Sequence, residues 1–413
     1  MEVLVQNQNR SKIQSNAVNL SNIHQHLVLE WSTGCGKTLA AAKIVQEILK
    51  KNPKAKGYLV CKESTHTKNW REDLEKHKVS KILEHTTILL YASLKKHKKK
   101  ADYVILDECH ALTPARINNM MPMLSRNTKL IFLSATIPEE RKDAIKRLCT
   151  NVHFDSIPLK KAIDLKLLPE PELIVHKIKL KKEIDGKIWD FQYRKPKGKI
   201  TKYCTNKELF MTLKKYPKEV GIVVQGSEQQ YYDTITKQMA YYKELSESLT
   251  VPYPIRNGCR NKFLNLGSVR KKFIAEVKTE RVKDLVKNFR KDNVRFICFT
   301  GSIKQAKNIG SKSAVHSKNE KGKNQELIDC FNDGTCDELF AVKMLRESVN
   351  LTNIERGIIT QLDSSIGSFY QMLGRCLRHE FPEMHIIVLE GTQDVSYFKN
   401  SMDSFDKKYI RVL

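Results

Sequence analysis

Residues 32–38 read Ser-Thr-Gly-Cys-Gly-Lys-Thr, and this stretch decides the fold expected for the chain. A short apolar run, Leu27 to Leu29, comes directly before it. An apolar stripe at helical spacing follows it, formed by Ala41, Ile44, Val45, Ile48 and Leu49. A strand, a glycine turn and a helix in this order form a cradle for phosphate, because backbone N–H groups close around an anion and the helix N-terminus adds a favourable dipole. The stretch therefore predicts a nucleotide-binding loop.

Two side chains of this loop have expected roles of their own. Lys37 is expected to reach the terminal phosphates, and the Thr38 hydroxyl is expected to hold Mg²⁺. Taken alone, a Gly-Lys-Thr tripeptide also suits an ordinary turn into a helix, and Trp31 stands where the full loop pattern has glycine. The residues predicted to contact the nucleotide are Ser32, Thr33, Gly34, Cys35, Gly36, Lys37 and Thr38.

The chain has 413 residues, which is enough for two domains with a large core. It carries 73 Lys and Arg against 46 Asp and Glu, a net charge of +27. Such an excess attracts polyanions, and nucleic acid is the usual polyanion. The alternative is a highly soluble basic protein with no nucleic-acid partner.

The ten cysteines include no Cys-x-x-Cys pair, and no histidine pair completes a site with Cys330 and Cys336, the closest two. We therefore expect no zinc site and free, buried thiols in a reducing compartment. The first ten residues are polar, and no apolar run approaches the ~20 residues that span a bilayer. The sequence thus predicts a cytoplasmic protein.

Short apolar runs alternate with helical stretches in both halves of the chain. In the first half these runs are 27–29, 57–61, 86–90, 103–106 and 130–133; in the second they are 172–180, 295–299, 339–344, 357–360 and 385–389. Strands without clean alternation, separated by helices, indicate a parallel sheet covered on both faces. The predicted fold class is α/β, with two parallel-sheet domains in tandem, 1–157 and 158–413.

The stretch 181–268 does not fit this alternation and predicts a module inserted into the second domain. Its first forty residues carry twelve Lys and Arg against five Asp and Glu. Trp189, Phe191 and Tyr193 alternate before a turn-like segment, and 200–203 has the pattern of a return strand. We interpret this as a basic hairpin that contacts nucleic acid or separates its strands; the alternative is a solvated hairpin packed on the core. The turn lysines that would make the contact are Lys195, Lys197 and Lys199.

Asp107 and Glu108 end a buried run, Tyr103 to Leu106, seventy residues after Lys37. Adjacent carboxylates are common on surfaces, but burying two of them at the end of such a run is costly without a cation. An ATPase needs one carboxylate for Mg²⁺ and one to activate water. We assign Asp107 to the metal, through water, and Glu108 to the base.

Arg375 and Arg378 are three residues apart and share one face of a predicted helix in the second domain. Arginines that reach the phosphates across an interdomain cleft make hydrolysis depend on closure, and such a finger contributes roughly 10³ to 10⁵ in rate. Two arginines on an exposed helix are the alternative.

Four motifs occur in order along the chain: Ser-Thr-Gly-Cys-Gly-Lys-Thr (32–38), Asp-Glu-Cys-His (107–110), Ser-Ala-Thr (134–136) and Gln-x-x-Gly-Arg-x-x-Arg (371–378). The set resembles the superfamily 2 DExH helicases, in particular the compact phage and prophage type related to type III restriction translocases. The resemblance covers roughly 8–180 and 269–392. It implies two RecA-like domains, ATP and Mg²⁺ in the cleft between them, nucleic acid across both, and the cytoplasm of a bacterium or of a phage-infected host.

The resemblance also implies roles for single residues. Gln14 would read the adenine, and Gln371 would face the γ-phosphate or its water beside the two arginine fingers. The stretch 346–351 matches the motif that bridges nucleotide and nucleic acid, although Ser348 stands where glycine is usual and Asn350 where aspartate often stands. This match adds Glu347 and Asn350 to the predicted nucleotide contacts.

Two further groups follow from the resemblance. The side chains expected to couple the ATP state to domain movement are His110, Ser134, Ala135 and Thr136. The loops expected to bind the nucleic-acid backbone, without reading its sequence, contain Glu63, Ser64, Thr65, Thr300, Gly301 and Ser302.

The function predicted from all these features is an ATP-dependent helicase or translocase that acts on DNA, single-stranded, duplex or forked. The alternatives are an RNA helicase, a translocase that tracks duplex DNA without unwinding it, and a non-catalytic clamp that uses ATP as a structural ligand. A protein partner that recruits the chain to its substrate is a further expectation; the sequence gives no oligomeric state.

Overall fold

A computed structural model describes residues 2–183, 189–192, 201–204, 221–310, 314–320, 322–342, 351–362, 366–377, 379–403 and 405–413. Several residues with predicted roles lie outside these ranges. They are Lys195, Lys197, Lys199, Glu347, Asn350 and Arg378.

The first half of the chain forms a parallel sheet of six strands in the order β3-β2-β4-β5-β1-β6. All its pairings are parallel. The strands are β1 (His26–Trp31), β2 (Gly57–Cys61), β3 (Thr86–Leu90), β4 (Tyr103–Asp107), β5 (Lys129–Ser134) and β6 (Val152–Ile157). Because β4, β5 and β1 are neighbours, the loops that follow them meet at one edge of the sheet.

The helices of this half cover the sheet and alternate with its strands. They are α1 (Glu2–Ile23), α2 (Lys37–Lys51), α3 (Ser64–Lys76), α4 (Pro114–Met120), α5 (Glu139–Leu148) and α6 (Leu159–Asp164). Helix α2 buries the small and branched side chains at its predicted apolar positions, including Ala41, Ile44 and Val45. The apolar stripe after the glycine loop is thus the side of α2 that packs on the sheet.

The second sheet is also parallel, with seven strands in the order β12-β13-β11-β14-β15-β7-β16. These strands are β7 (Glu172–Ile178), β11 (Phe296–Thr300), β12 (Ala314–Val315), β13 (Glu338–Val342), β14 (Arg356–Ile359), β15 (Glu383–Leu389) and β16 (Ile410–Val412). The prediction of two parallel-sheet α/β domains in tandem is confirmed. The bounds 1–157 and 158–413 stay a prediction.

Between β7 and β11 the chain leaves the second sheet. It forms a small sheet of β8 (Trp189–Gln192), β9 (Thr201–Cys204) and β10 (Gly221–Gly226), followed by helices α7 (Glu228–Glu247), α8 (Tyr253–Val277) and α9 (Thr279–Lys291). The predicted hairpin is wrong. Strand β10 lies in the middle, antiparallel to β8 and parallel to β9, so the two predicted hairpin strands do not pair with each other.

The remaining helices of the second half are α10 (Ile303–Asn308), α11 (Lys323–Asn332), α12 (Ile366–Cys376) and α13 (Gln393–Met402). Lys278, between α8 and α9, is fully buried. Its ammonium donates to the carbonyls of Thr360 and Ile387, each at 2.8 Å, and pairs with the carboxylate of Asp394. A buried charge is stable only when it is paired and hydrogen-bonded, as this one is, so Lys278 fixes the root of α8 to the second sheet.

One cluster of buried apolar side chains is continuous through both sheets. Among the described cysteines, seven are free and buried, as expected. The exception is a disulfide between Cys330 and Cys336, whose Cα atoms are 5.4 Å apart, which corrects the expectation that all thiols are free. In the part of the chain that the structure describes, every helix is too short or too polar to cross a membrane.

Candidate functional site

The glycine loop joins the end of β1 to the start of α2. Gly34 and Gly36 have φ angles of 90° and 86°, in the left-handed region that glycine adopts without strain. A Cβ atom on Gly36 would lie 2.6 Å from Nε2 of Gln14, so α1 passes directly against the loop. Gln14 is buried, and its Oε1 accepts a 2.8 Å hydrogen bond from Nζ of Lys43 on α2. The structure therefore brings Gln14 to the loop, and the adenine contact that the resemblance implies for it stays a prediction.

Hydrogen bonds and burial fix the side chains in and beside the glycine loop. Nζ of Lys37 donates to the carbonyls of Trp31 at 2.7 Å and Ser32 at 3.3 Å. Burial raises the pKa of the Cys35 thiol to about 11, so the loop carries a neutral thiol rather than a negative charge. The departure at Trp31 has a structural reason: its indole is fully buried and donates to Oδ2 of Asp155 on β6, at 3.0 Å.

Asp107 ends β4, and its carboxylate is held by two side chains of α3. Oδ2 accepts from the indole Nε1 of Trp70 at 2.9 Å and lies 3.3 Å from Nδ1 of His66. Oδ1 accepts the backbone N–H of Glu108 at 3.1 Å. Burial lowers the pKa of His66, but the hydrogen bond and negative charge of Asp107, with the charges of Glu108 and Glu63, raise it above its ordinary value.

Glu108 has a left-handed backbone, with φ of 50°, which costs a non-glycine residue on the order of 1–3 kcal/mol and is typical of functional sites. Its Oε2 lies 3.2 Å from Nδ1 of His110. Burial raises the pKa of Glu108, but the hydrogen bond with His110 and the charges of His110, Lys37 and His66 outweigh burial and lower it below the ordinary value. The carboxylate is therefore ionised at neutral pH, as a base must be.

The predicted coupling residues form a chain of contacts with this base. Nδ1 of His110 is also 3.1 Å from the hydroxyl of Ser134, which donates to the carbonyl of Thr136 at 2.8 Å. Ala135 lies between these two residues and is half-buried. Glu108, directly after β4, is thus connected through His110 to the end of β5.

The second domain reaches the glycine loop through α12. A Cβ atom on Gly374 would lie 2.9 Å from Cβ of Thr33, so the helix touches the loop where only glycine fits. The next residue, Arg375, is buried with 6% of its surface exposed, and lines the same cavity as Lys37 and Glu108. This cavity, of about 580 Å³, is also lined by Thr33, Gly34, Gly36, Thr38, Asp107, Thr352 and Leu377.

Other predicted residues lie elsewhere. Gln371 is half-buried one turn before Arg375 on α12 and is not among the described residues that line the cavity. Ser32 is buried, and its N–H donates to the carbonyl of Ile157 at 2.9 Å. Within the glycine loop, therefore, Thr33 and Gly34 face the cavity, but Ser32 packs against the end of β6.

The two predicted nucleic-acid loops differ. Glu63, Ser64 and Thr65 are exposed at the start of α3, just past β2. In the other loop, the buried hydroxyl of Thr300 donates to the carbonyl of Ala341 at 3.3 Å, and the N–H of Gly301 donates to Gln305 at 2.8 Å. Ser302 caps α10 and is half-buried. The groups of Thr300 and Gly301 that were expected to contact phosphate are therefore used inside the second domain.

Sequence reasoning missed four cavity residues in particular: Arg10, His66, Trp70 and Thr352. Arg10 stands four residues before Gln14, and His66 four before Trp70, so each pair shares one side of its helix. That spacing, next to the motifs already identified, is the signal that would have found them. Thr352 follows the 346–351 motif but gives no such signal.

The site has the groups that a magnesium nucleotide needs. Among the described residues, no three or more His, Cys, Asp and Glu side chains are grouped to hold a metal by themselves. Mg²⁺ in phosphoryl-transfer sites takes only one or two protein groups, with phosphates and water supplying the rest. Thr38 and Asp107 line one cavity, and Oδ1 of Asp107 keeps a lone pair beyond its bond to Glu108. These two residues therefore fit the role predicted for them.

Two parallel sheets in tandem, with a phosphate loop on the first and an arginine of the second in a shared cavity, define the RecA-like ATPase architecture. Two family models match the chain in this order. The first, "Type III restriction enzyme, res subunit", matches residues 4–90, and the second, "Helicase conserved C-terminal domain", matches residues 277–380.

Solved structures with the same fold include S. cerevisiae Dbp5 bound to RNA and ADP BeF3, at 11% identity and a TM-score of 0.57 over 97% of this chain and 89% of that one. The Pyrococcus furiosus Hef helicase domain gives 14% and 0.52 over 95% and 97%. The DUF1998 helicase MrfA bound to DNA gives 14% and 0.55 over 95% and 48%. At such identities these likenesses show the fold alone. A comparison with curated proteins gave no match.

The two family matches support a superfamily 2 helicase related to type III restriction enzymes, and they indicate an ATP-hydrolysing helicase or translocase.

Proposed function

We propose that this protein is an ATP- and Mg²⁺-dependent motor on DNA, whose two domains, 1–157 and 158–413 with an inserted module at 181–268, close on the nucleotide. The observation that carries the proposal is the shared cavity, in which Arg375 of the second domain joins Lys37 and Glu108 of the first. A nucleotide-binding domain alone would need no cation from its neighbour. A motor needs one, because hydrolysis must depend on closure.

In this mechanism the chain's residues divide the work. Lys37 and the backbone of the glycine loop bind the phosphates, Thr38 and Asp107 hold Mg²⁺, and Glu108 takes the proton of the attacking water. A metal bound there would supply positive charge against the charge that develops on the phosphoryl group. Arg375 supplies a positive charge from the other domain, and Arg378 and Gln371 are proposed to assist it.

The remaining predicted residues contact the nucleotide or connect the catalytic site to the domain interface. Gln14, Glu347 and Asn350 would contact the nucleotide. The chain of contacts from Glu108 through His110 to Ser134 and Thr136 would pass the state of the site to the domain interface.

For the nucleic-acid contacts, we keep the exposed start of α3 and Ser302, with the basic segment that contains Lys195, Lys197 and Lys199. Two features support nucleic acid as the partner: the net charge of +27, and the RNA and DNA named with two of the solved neighbours. DNA is the first choice because the phage-type helicases that the sequence resembles mostly act on DNA. RNA remains the second candidate, since these residues would contact phosphate rather than the sugar.

The deciding experiment is phosphate release measured side by side with single-stranded, duplex and forked DNA and with RNA. We expect stimulation by at least one DNA. Stimulation by RNA alone would make the protein an RNA helicase, and stimulation by duplex DNA but not by single-stranded or forked DNA would favour a duplex translocase.

Two variants test the catalytic assignment. Lys37→Ala should abolish turnover by removing a phosphate contact, and Glu108→Gln should abolish turnover while nucleotide still binds, because it keeps the shape of the side chain but not its basicity. No turnover by the wild type with any nucleic acid would favour the clamp and defeat the enzyme assignment.

A further inference from the structure

The first two turns of helix α3 contain both an exposed group of residues and a pair of buried side chains. Its first residues, together with Glu63, are exposed at the predicted nucleic-acid surface. The next residue after Thr65 is His66, which turns inward, with 5% of its surface exposed, and one turn later Trp70 is 3% exposed. Both buried side chains contact Oδ2 of Asp107.

We propose that His66 and Trp70 are positioning residues that hold the Asp107 carboxylate for Mg²⁺, and that phosphates of nucleic acid bound at Ser64 and Thr65 change this hold through the first turn of α3. This inference rests on the proposed function. Nucleic acid bound at the start of α3 would in this way alter the metal site of the same domain.

The geometry leaves Asp107 few other ways to be oriented. One oxygen of the carboxylate receives both α3 side chains, and the other receives the N–H of Glu108, so three contacts fix its rotation. A carboxylate offers about four lone-pair positions, and the remaining one can serve the water shell of a metal. Partners of this kind, one step behind the ligand, change metal affinity by roughly 10- to 100-fold when they are removed.

The route from strand to metal is short and passes through a rigid element. From Ser64 to Trp70 the helix rises about 9 Å, at 1.5 Å per residue. Strand β2, which ends just before α3, pairs directly with β4, which ends in Asp107. A shift of the first turn therefore moves both donors relative to a carboxylate that the sheet holds in place.

The chain supplies a matched control for the Trp70 bond. Trp31 is also fully buried, and its indole also donates to an aspartate Oδ2, that of Asp155, at 3.0 Å. This second pair joins β1 to β6, at the opposite edge of the sheet from β2. It is the same chemical interaction without a place on the proposed route.

The first test follows the indole N–H resonances of ¹⁵N-tryptophan protein by NMR, assigned with Trp70→Phe and Trp189→Phe variants. A single-stranded oligonucleotide is added without nucleotide or Mg²⁺, so the readout does not depend on turnover. We expect the Trp70 resonance to shift and the Trp31 resonance to stay within a line width. An unchanged Trp70 resonance under saturating oligonucleotide would overturn the proposed route.

The second test measures the Mg²⁺ concentration that half-saturates ATP hydrolysis, with and without the oligonucleotide. In the wild type the oligonucleotide should lower this concentration. Trp70→Phe should raise it roughly tenfold, with a smaller change in kcat at saturating Mg²⁺, and should remove its response to oligonucleotide. Asp155→Asn, which weakens the control pair, should behave as the wild type.

Two variants of His66 test the same route if Trp70→Phe does not fold. His66→Gln keeps a donor toward Asp107 and should retain the response, whereas His66→Leu should lose it. If the wild type is stimulated but both histidine variants respond like it, the inference fails and the proposed function stands. If the wild type shows no stimulated hydrolysis at all, the proposed function fails first.

Discussion

The two halves of the site are built in different ways. In the first domain the functional side chains are joined by hydrogen bonds: Trp70 and His66 to Asp107, and Glu108 through His110 to Ser134. The second domain contributes by packing. Helix α12 buries Phe369, Met372, Leu373 and Cys376, and this packing carries Gly374 against Thr33 and Arg375 into the cavity.

This difference separates two tasks. A bonded network keeps the carboxylates oriented whatever the second domain does, whereas a charge delivered by a packed helix enters and leaves with its whole domain. The first half can therefore stay assembled through a cycle, and the second half makes the cycle depend on closure. Substitutions of Arg375 and Gly374 test this division directly, with Gly258→Ala as their control.

The largest effect is expected from Arg375→Ala. The rate of hydrolysis should fall by roughly 10³-fold or more, because the cation against the developing phosphoryl charge is lost. Nucleotide affinity should change little, since the loop and carboxylates belong to the first domain. Steady-state ATPase and nucleotide titration measure the two effects, and Arg375→Lys should not restore the rate, because a lysine lacks the guanidinium fork. A normal rate in Arg375→Ala would contradict the division.

A smaller loss is expected from Gly374→Ala, which adds a Cβ 2.9 Å from that of Thr33. Closure should be impeded, and the stimulated rate should fall by about tenfold, the equivalent of about 1.4 kcal/mol. The folded domain should not lose stability, because alanine favours a helix over glycine. Stimulated ATPase and thermal unfolding, measured together, distinguish a blocked interface from a damaged domain.

The second domain also contains a buried polar group that lies outside the cavity. Burial, with the charges of His385, Arg281 and Arg411, lowers the pKa of His176 to about 4. Between about pH 6.5 and 4 the unfolded chain binds a proton there and the folded chain does not, so stability should fall as pH drops through this window. We expect Tm to fall by on the order of a few degrees from pH 7 to pH 5.

The His176→Gln variant tests this assignment, because glutamine does not titrate but can still donate to His385. Its Tm should depend less on pH over the same window than that of the wild type. Calorimetry at matched ionic strength makes the measurement. Parallel pH profiles for the two proteins would assign the acid sensitivity to other groups.

The smallest effect is expected from Gly258→Ala. Gly258 lies inside α8, and a Cβ there would meet no atom within 4 Å. Alanine should therefore stabilise the helix by about 0.5–1 kcal/mol without changing hydrolysis. This variant is the control for Gly374→Ala, since it makes the same substitution at a helix position where the added Cβ meets no atom within 4 Å.

Much of the fold could be predicted from the sequence because buried parallel strands are short apolar runs: 57–61 and 86–90 match β2 and β3 residue for residue. The pairing of β8 and β9 with β10 was missed, since periodicity shows that a strand exists but not which strand lies beside it. Strand β16 has three residues, of which two are exposed, and gives no apolar signal.

The candidate site divides in the same way. Lys37, Asp107 and Arg375 could be predicted because each belongs to a local pattern. The contact of Trp70 with Asp107 could not, because it joins a helix to a strand 37 residues away. Nor could burial of the Thr300 hydroxyl, which depends on a neighbouring strand's carbonyl.

Lys278 makes the helical pair α7 and α8 move together with the second sheet. Because its ammonium is locked to the carbonyls of two strands or their ends and to Asp394, the root of α8 cannot turn without the second sheet. Helix α8 runs 25 residues, about 37 Å, from that root. A rotation of the second domain by a few degrees at the cleft therefore moves the far end of α8 by several ångströms. A load bound at that end would resist each closure of the domains.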